Sequence, residues 1–278
     1  MKSWRLLPRI EHLAKYIECY WFLEKEPHDQ NFNFPKLYPD PSSHLIIARS
    51  NRAYAYTHGS IVQNARGSHW VFPHVNTFML DHSAPFAILG VKFKIGALYS
   101  LDINSVTSCL DKIEEVEVNC LSGTDIFDSE LLLIAAEDNK HQAICKLEQL
   151  LSPWLIDNYE DKHSRLVRQI LPLLSHTPVN EIGNQLHLSQ RTTERSFYRV
   201  TGLPMKQVQS MLRLENLLND LYQRDESDIN WVEIAYKYRF SDQSHLIRQL
   251  KSTIGSTPAR YAQQRDLTID IYGNFEIT

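Results

Sequence analysis

Residues 231–261 read WVEIAYKYRFSDQSHLIRQLKSTIGSTPARY. Trp231, Ile234, Ala235 and Tyr238 recur at helical spacing, and Asn230 followed by Glu233 has the form of a capping box, so a short helix is predicted to open here. Leu246, Leu250 and Ile254 mark the apolar side of a second helix over 242–253, with Ser241 as its expected cap. The opposite side of that helix presents Ser244, Ile247, Arg248 and Lys251, with Gln243 near its start. A braced helix, a tight turn and a second helix with one apolar and one polar face make a helix-turn-helix unit. Thr257 and Pro258 are predicted to open one more helix.

The same pattern occurs upstream. Thr177 and Pro178 are expected to cap a helix over 179–186, braced by Val179, Ile182 and Leu186. Ser189 is expected to cap a helix running to Val200 and stopped by Gly202, with Thr193, Phe197 and Val200 on its buried side. Its other side carries Arg191, Glu194, Arg195 and Tyr198. Between the two units, a helix from Pro204 to about Tyr222 would span roughly 28 Å, against the ~34 Å that separate successive major-groove faces. Arg can pair with guanine, Gln with adenine, Glu with cytosine, and Ile can touch a thymine methyl. A single charged helix face is ordinarily only solvated, but two such pairs at this separation point to DNA.

Charge follows the same division. The chain has 278 residues and a net charge of −4. Residues 1–159 hold 14 Lys and Arg against 19 Asp and Glu, residues 160–265 hold 15 against 11, and the tail holds none against 3. A modestly basic segment beside an acidic one is compatible with nucleic-acid binding by the former. Lys2, Arg5 and Arg9 are followed by interrupting charges, so neither a signal-peptide core nor an apolar run of spanning length is present, and a cytoplasmic protein with no membrane partner is expected. Cys19, Cys109, Cys120 and Cys145 are scattered without C-x-x-C spacing, which argues against a zinc knuckle and a disulfide framework.

The quoted stretch resembles the C-terminal signature of the AraC/XylS family of bacterial transcription regulators, with I-A, F-S-D-Q-S-H, R, K, G and T-P-x-x-Y in register. EIGNQLHLSQRTTERSFYRVTGLP is similar to that family's first unit, with Ser189, Arg195, Phe197 and Gly202 on motif positions. The resemblance covers residues 164–264. It implies base contacts from Arg191, Glu194 and Arg195 in one helix and from Gln243, Ser244, Ile247 and Arg248 in the other; Lys251 is assigned to phosphate. The turn glycine of the pattern is Arg239 here and His187 in the first unit, a family alanine is Gly183, a leucine is Thr193, and a phenylalanine is Leu250. Non-glycine residues at a turn that prefers positive φ store some strain, and Gly183 and Thr193 are expected to loosen the first unit.

The first hundred residues carry short β-rich runs at 44–48, 54–57, 69–72, 77–80 and 86–93, while 10–22 fits either a helix or a strand. Helices follow at 126–136 and 140–151, the latter closed by Ser152 and Pro153, and 154–163 reads as a connector. The expected fold is multidomain α+β: a β-rich N-terminal domain, cupin-like barrel or sandwich, with helices, over 1–158, then an all-α domain with two helix-turn-helix units over 159–278. YPDPSSHLIIARS and ILGVKFKIGALYSL look like the P-D-G-x-x-x-L-I-F and G-x-x-F-x-P-G segments of an N-terminal module of the family, with Asp40-Pro41 and Lys94-Ile95-Gly96 in place of its Asp-Gly and Pro-Gly steps.

Family resemblance implies that this domain binds a small-molecule effector, pairs subunits, or both; the alternative is a ligand-independent regulator whose N-terminal domain only dimerises or contacts RNA polymerase. The stripe of Ile144, Leu147, Leu150 and Leu151 reads equally as a homodimer seam or as internal core. Aromatics such as Tyr20, Trp21, Phe22, Tyr38, Tyr54, Tyr56, Trp70 and Phe72 fit core packing better than a pocket lining. His44, His58, His69, His74 and His82 lack the H-x-H and glutamate that a cupin metal site needs, so no cofactor or metal is expected. Neither a catalytic motif nor the activated cysteine and four-cysteine zinc site of the DNA-repair methyltransferases that share such a DNA-binding module is present, so no enzymatic activity is expected.

Overall fold

The computed structural model describes residues 2–29, 33–101, 109–119, 128–156, 159–222, 224, 229–255 and 257. Its N-terminal half is built on two antiparallel sheets. The strands are β1 (Lys2–Leu6), β2 (Ile17–Lys25), β3 (Lys36–Leu37), β4 (His44–Ala48), β5 (Ala53–His58), β6 (Ile61–Arg66), β7 (His69–Val71), β8 (Phe78–Leu80), β9 (Phe86–Phe93) and β10 (Ile113–Glu115). One sheet runs β1-β2-β9-β4-β7-β10 and the other β3-β8-β5-β6. The ambiguous segment divides in two: α1 (Glu11–Ala14) is a single turn of helix, and the strand starts at Ile17.

The six-stranded sheet is apolar on both faces, so its central strands read as continuous hydrophobic runs; all eight residues of β9 are buried. Cys19, Trp21, Leu23, Ile46, Ala48 and Ile88 face the smaller sheet, where they pack with Tyr54, Tyr56, Phe78 and Leu80. The alternate residues Tyr20, Phe22, Leu45, Ile47, Leu89, Val91 and Phe93 face the other way, into a core shared with the helices. Those helices are the single turn α2 (Ala97–Ser100), α3 (Ser129–Asp138) and α4 (Lys140–Ile156). Between the sheets the side chains pack against one another. A Cβ on Gly90 would lie 1.9 Å from the Trp21 ring, so Gly90 is what lets that indole lie against β9.

One expectation about α4 is corrected and one open choice is decided. It does not stop at Ser152 but runs through Pro153 to Ile156. Leu155 is fully buried and Trp154 packs on Trp70 and Phe93, and this burial outweighs the hydrogen bond that proline removes. The stripe read as a candidate dimer seam is internal: Ile144, Leu147 and Leu151 are at most 1% exposed within the subunit's own core. The expected connector is correspondingly shorter, since α5 (Lys162–Ile170) already begins at Lys162 behind a full capping box made by Asp161 and Ser164.

The C-terminal half is helical. After α5 and a 3-10 turn (Leu171–Ser175) come α6 (Val179–Gln185), α7 (Gln190–Thr201), α8 (Met205–Tyr222), α9 (Trp231–Lys237) and α10 (Gln243–Ile254). Helix α8 belongs to two cores in turn. Its first residues, Met205, Val208 and Met211, pack with Ile182, Phe197 and Val200 of the first unit. Its later residues, Leu214, Leu217, Leu218 and Leu221, pack with Ile234, Ala235, Leu246 and Leu250 of the second. Caps are shifted by one residue at two places. Pro178 is the N-cap of α6, while the Thr177 hydroxyl is spent on Gln185 Oε1 at 3.2 Å. Asp242, not Ser241, caps α10, accepting from the His245 amide at 2.7 Å; a carboxylate is the stronger acceptor for a helix N-terminus. Pro258 and the helix it was expected to open lie outside the described residues.

Candidate nucleic-acid interface

Both helix-turn-helix units form as the spacing predicts, and they share one turn geometry. His187 (φ 54°) and Arg239 (φ 56°) occupy the left-handed region at the two positions where the family pattern has glycine. Each turn is closed by the same bond: Leu188 N donates to Gly183 O at 2.9 Å and Phe240 N to Ala235 O at 2.8 Å. In the second unit, the Arg213 guanidinium lies 4.7 Å from the Phe240 ring centroid, bracing the turn from α8.

The reading faces emerge where the periodicity places them. On α7, Thr193, Phe197 and Val200 are buried, whereas Arg191, Glu194, Arg195 and Tyr198 are exposed. On α10, Leu246, Leu250 and Ile254 are buried; Gln243, Ser244, Arg248 and Lys251 are exposed and Ile247 is half-buried. Among the described residues Arg191, Arg195, Arg248 and Lys251 make no hydrogen bond or ion pair through their charged groups, which leaves their donors available. Glu194 differs, because its carboxylate accepts from Gln190 Nε2 at 2.8 Å.

Gln190 is a residue the sequence reading passed over. Its amide also donates to Val179 O at 2.8 Å, and its Oε1 accepts from Gly183 N at 3.2 Å, so one side chain ties α6 to α7. The absent side chain at Gly183 is what admits that close crossing: a Cβ there would stand 2.9 Å from Gln190 N. Gly183 therefore draws the first unit together, contrary to the expected loosening. Thr193 is also fully buried without loss, since its hydroxyl donates to Ser189 O at 2.9 Å.

Beside α7 runs a groove of about 950 Å³ whose other wall is α5, and whose lining includes Lys162, Arg165, Arg191, Arg195 and Arg199. Tyr99 of the β-rich half holds one of these cations: its hydroxyl donates to Asp161 Oδ2 at 2.8 Å and accepts from Arg199 Nε at 3.1 Å. The β-rich half also holds the second unit. Lys36 Nζ donates to Ile254 O at 2.6 Å, the Thr77 hydroxyl donates to Thr253 O, and Tyr38 is buried in that unit's core. Between these, buried Lys92 pairs with Asp40 at 3.3 Å and with Glu215 of α8 at 3.1 Å. Burial alone would raise the Asp40 pKa, but Lys92 and His44 outweigh it and hold the carboxyl far below its usual range.

The five histidines do not form one cluster: His44 bonds Asp40 at 3.1 Å and His74 lies beside that pair, whereas His58 bonds the Thr77 carbonyl at 3.1 Å, His69 bonds the Tyr56 hydroxyl at 2.6 Å and His82 packs on Phe86. Among the described residues no group of three or more His, Cys, Asp or Glu side chains could hold a metal ion. Among the same residues no helix is long and apolar enough to cross a membrane.

Comparison with known proteins agrees with this architecture. A helix-turn-helix domain family matches residues 182–264, and a domain of unknown function (DUF6597) matches residues 5–112. Residues 182–264 thus form a helix-turn-helix DNA-binding domain of the AraC type. No curated protein sequence matches it. An apo variant of ToxT from Vibrio cholerae strain SCE256 is 12% identical, with 90% of this chain and 98% of that one covered and a TM-score of 0.48. ToxT from Vibrio cholerae O395 bound to (E)-4-(8-methylnaphthalen-1-yl)but-3-enoic acid is 12% identical over 89% and 99%, at a TM-score of 0.44. The AraC-like transcriptional activator CuxR is 10% identical over 77% and 86%, at 0.26.

Proposed function

We propose that the chain is a sequence-specific cytoplasmic regulator that inserts α7 and α10 into adjacent major grooves of duplex DNA. Arg191, Glu194 and Arg195 read one groove, Gln243, Ser244, Ile247 and Arg248 the next, and Lys251 holds a phosphate. The observation that carries this reading is the pairing of two exposed polar helix faces across α8, whose 18 residues span about 27 Å, close to one turn of duplex. The DNA-binding domain is taken as 159–278 and the regulatory domain as 1–158, with no enzymatic step in either.

Control by a small molecule belongs to the same reading. An effector would enter the crevice of about 440 Å³ between the halves, where Lys15, Tyr16, Lys94 and Gly96 face Val167, Arg168 and Val200. The packed apolar cluster between the sheets favours a second reading, in which the β-rich domain binds no ligand and serves to dimerise or to contact RNA polymerase.

The test is a base-by-base substitution series of an operator selected with the full chain. Arg248→Ala should cost about 1–3 kcal/mol at one base pair and relax the preference there, while Lys251→Ala should weaken all sequences alike. Uniform loss from Arg248→Ala, with a changed base preference from Lys251→Ala, would reverse the assignment.

A further inference from the structure

The groove between α5 and α7 lies partly outside both helix-turn-helix units, and its charge is one-sided. Five cations line it, Lys162 and Arg165 from α5 and Arg191, Arg195 and Arg199 from α7, and no carboxylate does. The acids beside it on α7 and at the start of α5 are already committed, Glu194 accepting from Gln190 Nε2 at 2.8 Å. Glu160 is bonded twice by Arg168, and Asp161 accepts from the His163 amide at 2.8 Å and from the Ser164 amide at 2.9 Å. Lys162 has no hydrogen bond or ion pair through its ammonium among the described residues, and Arg165 spends only its Nε, on Asp161 O at 3.2 Å. Like charges gathered along one groove repel one another, and a polyanion running its length removes that repulsion while releasing its own counterions. Arg191 and Arg195 stand both in this wall and on the base-reading face of α7, so whatever fills the groove is continuous with what α7 reads.

We propose that this groove seats one sugar–phosphate strand of the operator, with Lys162, Arg165 and Arg199 holding phosphates while Arg191 and Arg195 reach the bases. The proposal rests on the reading of α7 as a recognition helix and extends the interface to α5. Arg199 is aimed by Tyr99, so one phosphate contact is set by the β-rich half. A free anion of similar chemistry would fill only part of so long a groove.

The experiment measures the salt dependence of operator affinity for the full chain and for the Lys162→Gln/Arg165→Gln pair. Each phosphate contact contributes about 0.9 to the slope of log affinity against log salt, so losing two should reduce the slope by about 1.8. Between about 50 and 200 mM salt the variant should then lose about twelvefold less affinity than the parent, with its base preference unchanged. Lys162→Gln alone, which removes no hydrogen bond of the fold, should give half that reduction and serves if the pair folds poorly by circular dichroism. An unchanged slope in a variant of native circular dichroism would overturn the proposal, as would a changed base preference. So would undiminished duplex binding accompanied by loss of inorganic phosphate binding. Absence of any salt-sensitive duplex affinity in the parent would instead refute the function proposed above.

Discussion

Replacing Gly183 with alanine restores the residue that the family pattern has at this position, and helix propensity alone would favour it by about 1 kcal/mol. The geometry predicts the opposite sign. The new Cβ would lie 2.9 Å from Gln190 N and 3.0 Å from Gln190 Cα. Both are backbone atoms, so no rotamer change relieves the contact and α6 must move away from α7. Overpacking of this kind costs about 1–3 kcal/mol, which leaves a net loss of about 1 kcal/mol after the propensity gain. In a chain of this size that lowers Tm by roughly 2–4 °C. Urea unfolding followed by circular dichroism should show a reduced midpoint at constant slope. Adding Gln190→Ala should not restore stability, because the clash is with the main chain and the side-chain bonds to Val179 and Gly183 are lost as well. An increase in midpoint on Gly183→Ala would refute the close crossing.

Ile144→Glu places a carboxylate in the core between α4 and the sheet with no partner, at a cost on the order of 4 kcal/mol, so the protein should fail to fold; a soluble, folded monomer by sedimentation would refute the internal packing. Acid should destabilise the fold from about pH 6.5 downward. Burial lowers His69 to about 4 and His82 to about 3, so between these values and 6.5 the unfolded chain binds more protons and stability falls as pH falls. Glu160 adds a loss at lower pH: burial would raise it, but bonds from Arg168, Ser164 and Tyr16 hold it at about 2, so its contribution is complete above 4.5 and is lost as pH falls through 2. A midpoint for urea unfolding that stays constant from pH 7 to 4 would contradict the buried, neutral histidines.

The parts of the fold that the sequence left unread have one cause. The strands not predicted, β1, β3, β6 and β10, are the four sheet edges. An edge strand is covered on fewer sides, so its pattern can be mixed: β6 reads IVQNAR with four of its six residues exposed. Strands β4 and β9 were legible because both their faces are buried, which leaves uninterrupted apolar runs. The same contrast holds at the site. The faces of α7 and α10 follow from periodicity within one helix, whereas the groove cations of α5 and the Tyr99 tether are brought there by tertiary packing over long separations, which no local spacing encodes. Gln190 was missed for a related reason, since a polar side chain at a helix start reads as solvated until its neighbour is known to be a glycine at contact distance.

The order in which the chain is made gives the placement of Tyr38 a further consequence. This ring completes the core of the second helix-turn-helix unit, whose other buried members lie between Leu214 and Ile254. The β-rich half leaves the ribosome first, and domains generally fold as they emerge. Tyr38 is therefore already in place beside β3 when residues 214–254 appear, and the helices of the second unit condense onto a surface that has been waiting for them.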